Sequence, residues 1–250
     1  MKERMYHLGL KPEDGARFAL LPGDPGRVEQ IAACLDDARE LAVNREFRTW
    51  AGTVAGERVL VTSTGIGGPS AAIAMEELAS IGVDTFIRVG TCGGMQLAVQ
   101  GGDLIVPTAA IRMDGTSREY LPVEFPAVAD FSLTRALADA AEKSGLRSHL
   151  GVVQSKDSFY GQHEPQRMPV GQRLLADWQA WIKGGALASE MECAALFTVA
   201  ACLGVRAGAV LTCVWNQERQ AAGLPNPETH DSGAAIRVAV AAVCSLAGKK

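Results

Sequence analysis

The run Thr85-Phe86-Ile87-Arg88-Val89-Gly90-Thr91-Cys92-Gly93-Gly94 narrows what this chain can be more than any other stretch. Its first half is short, apolar and β-branched, the mark of a buried strand. An arginine stands inside it. A buried guanidinium without a partner costs several kcal/mol, so Arg88 demands an anion, either a structural carboxylate or a ligand. Gly-Thr-Cys-Gly-Gly follows at once and predicts a turn whose amides can approach a bound group closely. In an α/β sheet such sites lie at the carboxyl edge of the strands.

The flanking chain alternates in the way an α/β sheet requires. Phe18–Leu21 is a short apolar run that stops at Pro22-Gly23-Asp24-Pro25-Gly26-Arg27, and a helix is predicted over Val28–Leu35. Arg27 then sits near a helix N-terminus, where a cation opposes the dipole unless an anion binds there too. Arg45–Trp50 opens a second β region, Ala55-Gly56 a hairpin turn, and Arg58–Thr64 the returning strand. Gly65-Ile66-Gly67-Gly68-Pro69-Ser70 leads into a predicted helix over Ala71–Ile81 and departs from a dinucleotide fingerprint at Pro69 and Ser70. Strands are predicted at Asp103–Val106, Ala109–Met113, His149–Gln154 and Ala207–Val214, and helices at Phe131–Ser144, Leu174–Ile182, Cys193–Leu203 and Ser232–Ala247. Glu124–Ala127, Ser155–Met168 and Gln217–Asp231 read as loops. The second of these holds adjacent aromatics, an amide and a guanidinium, which suits a planar heterocycle as well as it suits a solvated loop. Ser189-Glu190-Met191-Glu192 falls at a strand-to-helix junction, where its carboxylates either bind a sugar diol or simply start the helix. No repeat or linker interrupts the pattern, so residues 1–250 read as one domain.

A chain of 250 residues with 48% hydrophobic residues is long enough for a sizeable core. The net charge of −4 and the absence of any Lys/Arg run argue against nucleic acid as a partner. The 6 cysteines are scattered without a C-x-x-C pair, the usage of a reducing cytoplasm, and they suggest no zinc site. The N-terminal stretch lacks the apolar core of a signal peptide, and Gly204–Gly208 breaks the apolar span that ends at Trp215, so no membrane segment is expected.

Taken together, PGDPGR (22–27), REF (45–47), STGIGGPS (63–70), RVGTCGG (88–94), EFPAVADF (124–131), DSFYGQ (157–162) and SEME (189–192) resemble, in order, the nucleoside phosphorylases with one α/β domain per subunit, most of all those acting on uridine. The resemblance runs from His7 to the terminal helix. It implies a mixed central β-sheet flanked by helices, and cleavage of uridine by phosphate. It implies that Gly23, Arg27, Arg88 and Thr91 bind phosphate, with Arg45 from a neighbouring subunit. Phe159, Gln162 and Arg167 would bind the base; Glu190, Met191, Glu192 and a neighbour's His7 would bind the ribose. It further implies a homohexamer built as a trimer of dimers, no required cofactor, and a monovalent cation such as K+ held by Glu46, Ile66 and Ser70.

The chemistry is consistent with these residue types. Phosphate is itself the nucleophile, so arginines that position it beneath the sugar carbon do the work a nucleophilic side chain does elsewhere. Arg167 and Gln162 could stabilise the departing uracil anion. This sequence departs from the enterobacterial pattern in three places: Gln162 and Arg167 stand five apart with Gln166 as a rival, Trp215 replaces a smaller residue, and Gln217 replaces an arginine that Arg219 could substitute. A purine nucleoside phosphorylase, a nucleoside hydrolase and a non-catalytic nucleoside-binding module are the competing readings. Trp215-Asn216, at the strand end where purine enzymes carry an aspartate, opposes the first. The arginine set opposes the second, because water needs no cationic cage.

Overall fold

A computed structural model describes residues 3–247. It is a single α/β domain. β1 (Phe18–Pro22) is buried along its whole length, and Asp24 caps the helix that follows, α1 (Pro25–Ala32), accepting from the Gly26 amide at 2.8 Å. With Pro25 preset for the first helical turn, the helix starts three residues before the position expected at Val28. β2 (Asp36–Asn44), β3 (Phe47–Val54) and β4 (Glu57–Thr62) form an antiparallel meander. β2 was not expected, because an edge strand half open to water carries no apolar alternation. α2 (Gly68–Ser80) leads to β5 (Thr85–Gly94), and β6 (Leu104–Met113) to the short α3 (Thr116–Tyr120) and β7 (Ala127–Val128). The two strands expected at 103–113 are therefore one, bulged between Pro107 and Ala109. α4 (Phe131–Lys143) starts at the Asp130 cap and precedes β8 (Ser148–Lys156).

The expected loop at 155–168 contains α5 (Phe159–His163), capped by Ser158, and a 3-10 turn at Pro165–Arg167. α6 (Gly171–Lys183), β9 (Ala188–Glu190), α7 (Cys193–Leu203) and β10 (Arg206–Asn216) follow. The Asn216 side chain accepts from the Glu218 and Arg219 amides and so starts α8 (Gln217–Ala221) inside what reads as loop. α9 (Gly233–Leu246) closes the described chain.

The strands form one mixed sheet in the order β10-β6-β8-β9-β5-β1-β4-β3-β2, and β10 also pairs with β5. That extra pairing closes β5, β10, β6, β8 and β9 into a ring, from which the other strands extend as an open sheet. Alternation along β1 sends Phe18 and Leu20 to one face, with α1, α4 and α9, and Ala19 and Leu21 to the other, with α2 and α7. Each fully buried Leu or Phe in these layers contributes about 1.5–3 kcal/mol.

The defining stretch corrects one expectation. Gly90 to Gly94 do not turn; they continue β5 in parallel register with β10, Gly90 opposite Leu211 and Gly94 opposite Asn216. None of Gly90, Gly93 and Gly94 takes a left-handed φ. Here glycine serves close approach: a Cβ on Gly90 would meet Leu211 Cδ2 at 2.9 Å, and one on Gly94 would meet Asn216 Nδ2 at 2.6 Å. No helix among the described residues is long and apolar enough to cross a membrane.

Candidate active site

A cavity of about 870 Å³ opens at the carboxyl ends of β1, β5, β8, β9 and β10, where the ring meets the open sheet. One end is cationic. Arg88, only 5% exposed, donates from Nη1 to Thr64 Oγ1 at 2.8 Å and pairs through Nη2 with Glu192 Oε2 at 2.8 Å. Its Nε–H is buried with no partner. A charged donor left unsatisfied is expensive, so this end is built for something the chain itself does not supply. Arg27 lies beside it, donating to Val89 O at 3.2 Å. Burial, and then the Arg88 charge, push the Arg27 guanidinium below its ordinary value. Two desolvated cations sharing one wall call for a multiply charged anion. Gly23 completes the wall, since a Cβ there would come within 3.0 Å of Arg88 Nη2 and of Gly65 O. Thr91 also lines this cavity.

Between the ends stands the junction of β9 and α7. Glu192 accepts from the Gly67 amide at 2.7 Å as well as from Arg88, while Met191 faces the cavity. Glu190 is committed to the fold. It accepts from the Glu192 and Cys193 amides at 2.8 Å each and from the Ser155 hydroxyl. Burial, then the Glu192 charge, raise its carboxyl above the ordinary value. Although it lines the cavity, its lone pairs are largely spent on starting α7.

The other end holds Lys156, Phe159, Gln162, His163, Ser189 and Trp215. Lys156 is 8% exposed and donates to Ser189 Oγ at 2.7 Å. Burial pulls its ammonium down to about 8, against the opposing pull of Glu190 and Glu192. Ser189 Oγ lies 2.7 Å from Gln162 Oε1, and Gln162 Nε2 donates to Gln217 Oε1 at 3.3 Å, so the amide plane of Gln162 is set from both sides. The Phe159 and His163 rings lie 4.3 Å apart, and His163 and Trp215 6.3 Å apart. Burial and then Lys156 push His163 below its usual value, which favours the neutral ring. An aromatic cleft with an in-plane amide and a buried ammonium suits a planar base that becomes anionic.

The sequence profile of the phosphorylase superfamily matches residues 17–248. The chain belongs to the phosphorylase superfamily. It is 53% identical over 238 residues to the uridine phosphorylase of Treponema pallidum (strain Nichols), covering 95% of this chain and 92% of the relative. To the uridine phosphorylase of Thermococcus kodakarensis it is 50% identical over 218 residues, 85% of this chain and 77% of the relative. A guanosine phosphorylase of Halorubrum lacusprofundi is 41% identical over 206 residues, 82% of this chain and 81% of the relative.

Set against the expectations for a superfamily member, the fold gathers Gly23, Arg27, Arg88, Thr91, Phe159, Gln162, Glu190, Met191 and Glu192 around one cavity. Arg167 stands apart. Its side chain is 62% exposed, paired with Glu164 and set 5.6 Å from the Tyr160 ring centroid. The 3-10 turn carries it away from the cavity lining, and Gln166 is exposed beside it. Arg219 does not replace the missing arginine, since it is spent on Pro225 O and Leu97 O. Arg45 sits at the exposed tip between β2 and β3 with φ +55°, and His7 lies in a separate groove; neither lines this chain's own cavity. Glu46, Ile66 and Ser70 converge on Gly65, where a Cβ would lie 3.1 Å from Glu46 Cγ and 3.5 Å from Ser70 Oγ, and Ser70 Oγ is 3.4 Å from Ile66 O.

Lys156, His163, Ser189 and His230 line the cavity and were not expected there. Lys156 carried little signal, because the strand was expected to end at Gln154 and its last residues, Gln154-Ser155-Lys156, are polar yet buried. Because Gln162 is in the cavity and Arg167 is outside it, Gln162→Ala should reduce kcat/KM for a nucleoside by roughly tenfold or more, and Arg167→Ala by much less. Steady-state rates of the two variants, compared side by side, check this ordering.

Proposed function

We propose that this chain catalyses phosphorolysis of uridine, with 2′-deoxyuridine or thymidine as further substrates: uridine and phosphate give uracil and ribose 1-phosphate, reversibly. The C1′–N1 bond breaks and a C1′–O bond to phosphate forms. The electron pair leaves with N1, and the proton carried by hydrogen phosphate ends on uracil. The observation that carries this reading is the unsatisfied Nε–H of buried Arg88 beside Arg27, at the opposite end of one cavity from an aromatic cleft containing Lys156 and Gln162. The uridine phosphorylases that share about half their residues with this chain support it.

In this reading phosphate binds Arg27, Arg88, Gly23 and Thr91, and Glu192 and Met191 hold the ribose. Phe159 stacks on the base, Gln162 reads its edge, and Lys156 stabilises charge as uracil departs. Arg45 and His7, which do not line their own cavity, would complete a neighbouring subunit's site in a homohexamer arranged as a trimer of dimers. A monovalent cation at Glu46, Ile66 and Ser70 would steady the Gly65 turn at the edge of the phosphate site. The free cysteines fit a cytoplasmic setting.

Uridine loss should require phosphate or arsenate and should yield ribose 1-phosphate when phosphate is used. The test follows base release from uridine, deoxyuridine, thymidine, guanosine and adenosine, each with and without phosphate. Free ribose formed at full rate without phosphate would replace this reading by hydrolysis. Faster cleavage of guanosine than of uridine would move the preferred base to purines, as in the Halorubrum relative's name.

A further inference from the structure

We infer that Glu77 is a positioning residue for His7, holding the imidazole in the tautomer and orientation in which Nε2 is a free hydrogen-bond acceptor for a substrate hydroxyl in a neighbouring subunit. This rests on the reading above in which His7 meets the ribose 5′-hydroxyl bound by its neighbour.

The contacts exceed what a turn anchor needs. Glu77, on α2, accepts from the His7 amide at 2.9 and 3.1 Å and from the Leu8 amide at 2.8 Å. Those bonds already fix the backbone. The same carboxylate lies 2.8 Å from His7 Nδ1. Asn44 Nδ2 donates to His7 O at 2.6 Å, and Tyr6 and Phe47 place ring edges against the imidazole, at 4.8 and 6.4 Å between centroids. A histidine kept only for its backbone would not need its ring held from three directions.

The chemistry of the pair decides the tautomer. Burial pushes the Glu77 carboxyl up, but the hydrogen bonds from Leu8 and His7 outweigh it and hold the group below its ordinary value. An ionised carboxylate only accepts, so Nδ1 carries the proton. In the neutral ring Nε2 then has a lone pair, and among the described residues it has no partner. The same carboxylate–imidazole arrangement orients histidines that act on a bound group elsewhere in proteins. The ring borders a groove lined also by Pro69, Glu76, Tyr120 and Asp157, outside this chain's own cavity, as a residue serving another subunit must be.

The test measures kcat/KM for uridine and for 5′-deoxyuridine, which lacks the hydroxyl. The preference for uridine should fall roughly three- to tenfold in His7→Ala and equally in Glu77→Ala, the range for losing one hydrogen bond. The double variant should fall no further than His7→Ala, because both changes remove one interaction. Glu77→Gln, whose carbonyl can accept from Nδ1–H but whose NH2 opposes the Leu8 amide, should recover part of the preference. Should Glu77→Ala fail to fold, Glu77→Asp makes the same comparison, since a shorter carboxylate cannot span both the amides and the ring. If His7→Ala loses the preference and the Glu77 variants keep it, the positioning role is overturned while the 5′-hydroxyl reading stands. If His7→Ala keeps the preference, the 5′-hydroxyl reading fails and the inference fails with it.

Discussion

Replacing Arg88 by alanine is expected to lower turnover by roughly two to three powers of ten, the loss that follows removal of one preorganised donor from developing charge. Arg88 bonds Thr64 through Nη1 and Glu192 through Nη2, and its Nε–H is buried without a partner. Its removal also strands Glu192 as a buried carboxylate, which should cost roughly 3–5 kcal/mol of stability. Thermal unfolding must therefore be read beside the rate, so that lost stability is not taken for lost chemistry. A near-normal rate at saturating phosphate would make Arg88 a structural residue. The same variant tests the shared site. Arg45→Ala and Arg88→Ala assemblies should each be nearly inactive. In the proposed assembly each mixed two-fold dimer would, however, have one site with both arginines, so random mixing should restore about one quarter of wild-type activity. No recovery after confirmed subunit exchange would mean that Arg45 does not reach a neighbour's phosphate.

Lys156→Met should be comparably damaging, again by roughly two to three powers of ten in turnover, with KM for phosphate little changed. The ammonium is bonded to Ser189, which in turn touches Gln162, so in the proposed binding mode its charge falls where the uracil anion would form. The groups facing it are Glu190, Glu192, Cys92 and His163. Because its ammonium is lowered to about 8, the charged form is present below that pH and is lost as pH rises through it. Turnover of the wild-type enzyme should therefore fall above about pH 8, and the residual activity of Lys156→Met should lack that limb. A wild-type profile that stays flat well above this value, or a near-normal rate in Lys156→Met, would remove Lys156 from the chemistry.

Local chemistry made much of this legible without coordinates. Asp24 and Pro25 announce α1, an apolar β-branched run announces β5, and a guanidinium within that run announces a site. Burial cost alone singled out Arg88, with a structural carboxylate as an equal alternative; Arg27, Gln162 and the SEME junction stood out only through the resemblance to nucleoside phosphorylases. The failures have equally physical causes. β2 is an edge strand held by its neighbour's hydrogen bonds, so its side chains carry no pattern. Gly90 to Gly94 read as a turn because glycine permits one, whereas the approach of Leu211 and Asn216 from β10, far away in sequence, is what requires glycine there.

The residues alone thus determined the α/β class and the single domain, and required a partner for Arg88 without saying whether it is a carboxylate of the chain or a ligand, since each rests on local pattern or on the cost of burying an unpaired charge. Only the tertiary structure decided which groups share a cavity. The pairing of β10 with both β5 and β6 closes the ring and brings Lys156, Ser189 and Trp215 to face Arg88. A 3-10 turn, set by Pro165 and the Glu164 ion pair, sends Arg167 outward although it lies only five residues from Gln162. Spacing along the chain does not encode direction in space; that comes from the packing of distant segments, which leaves no local signature.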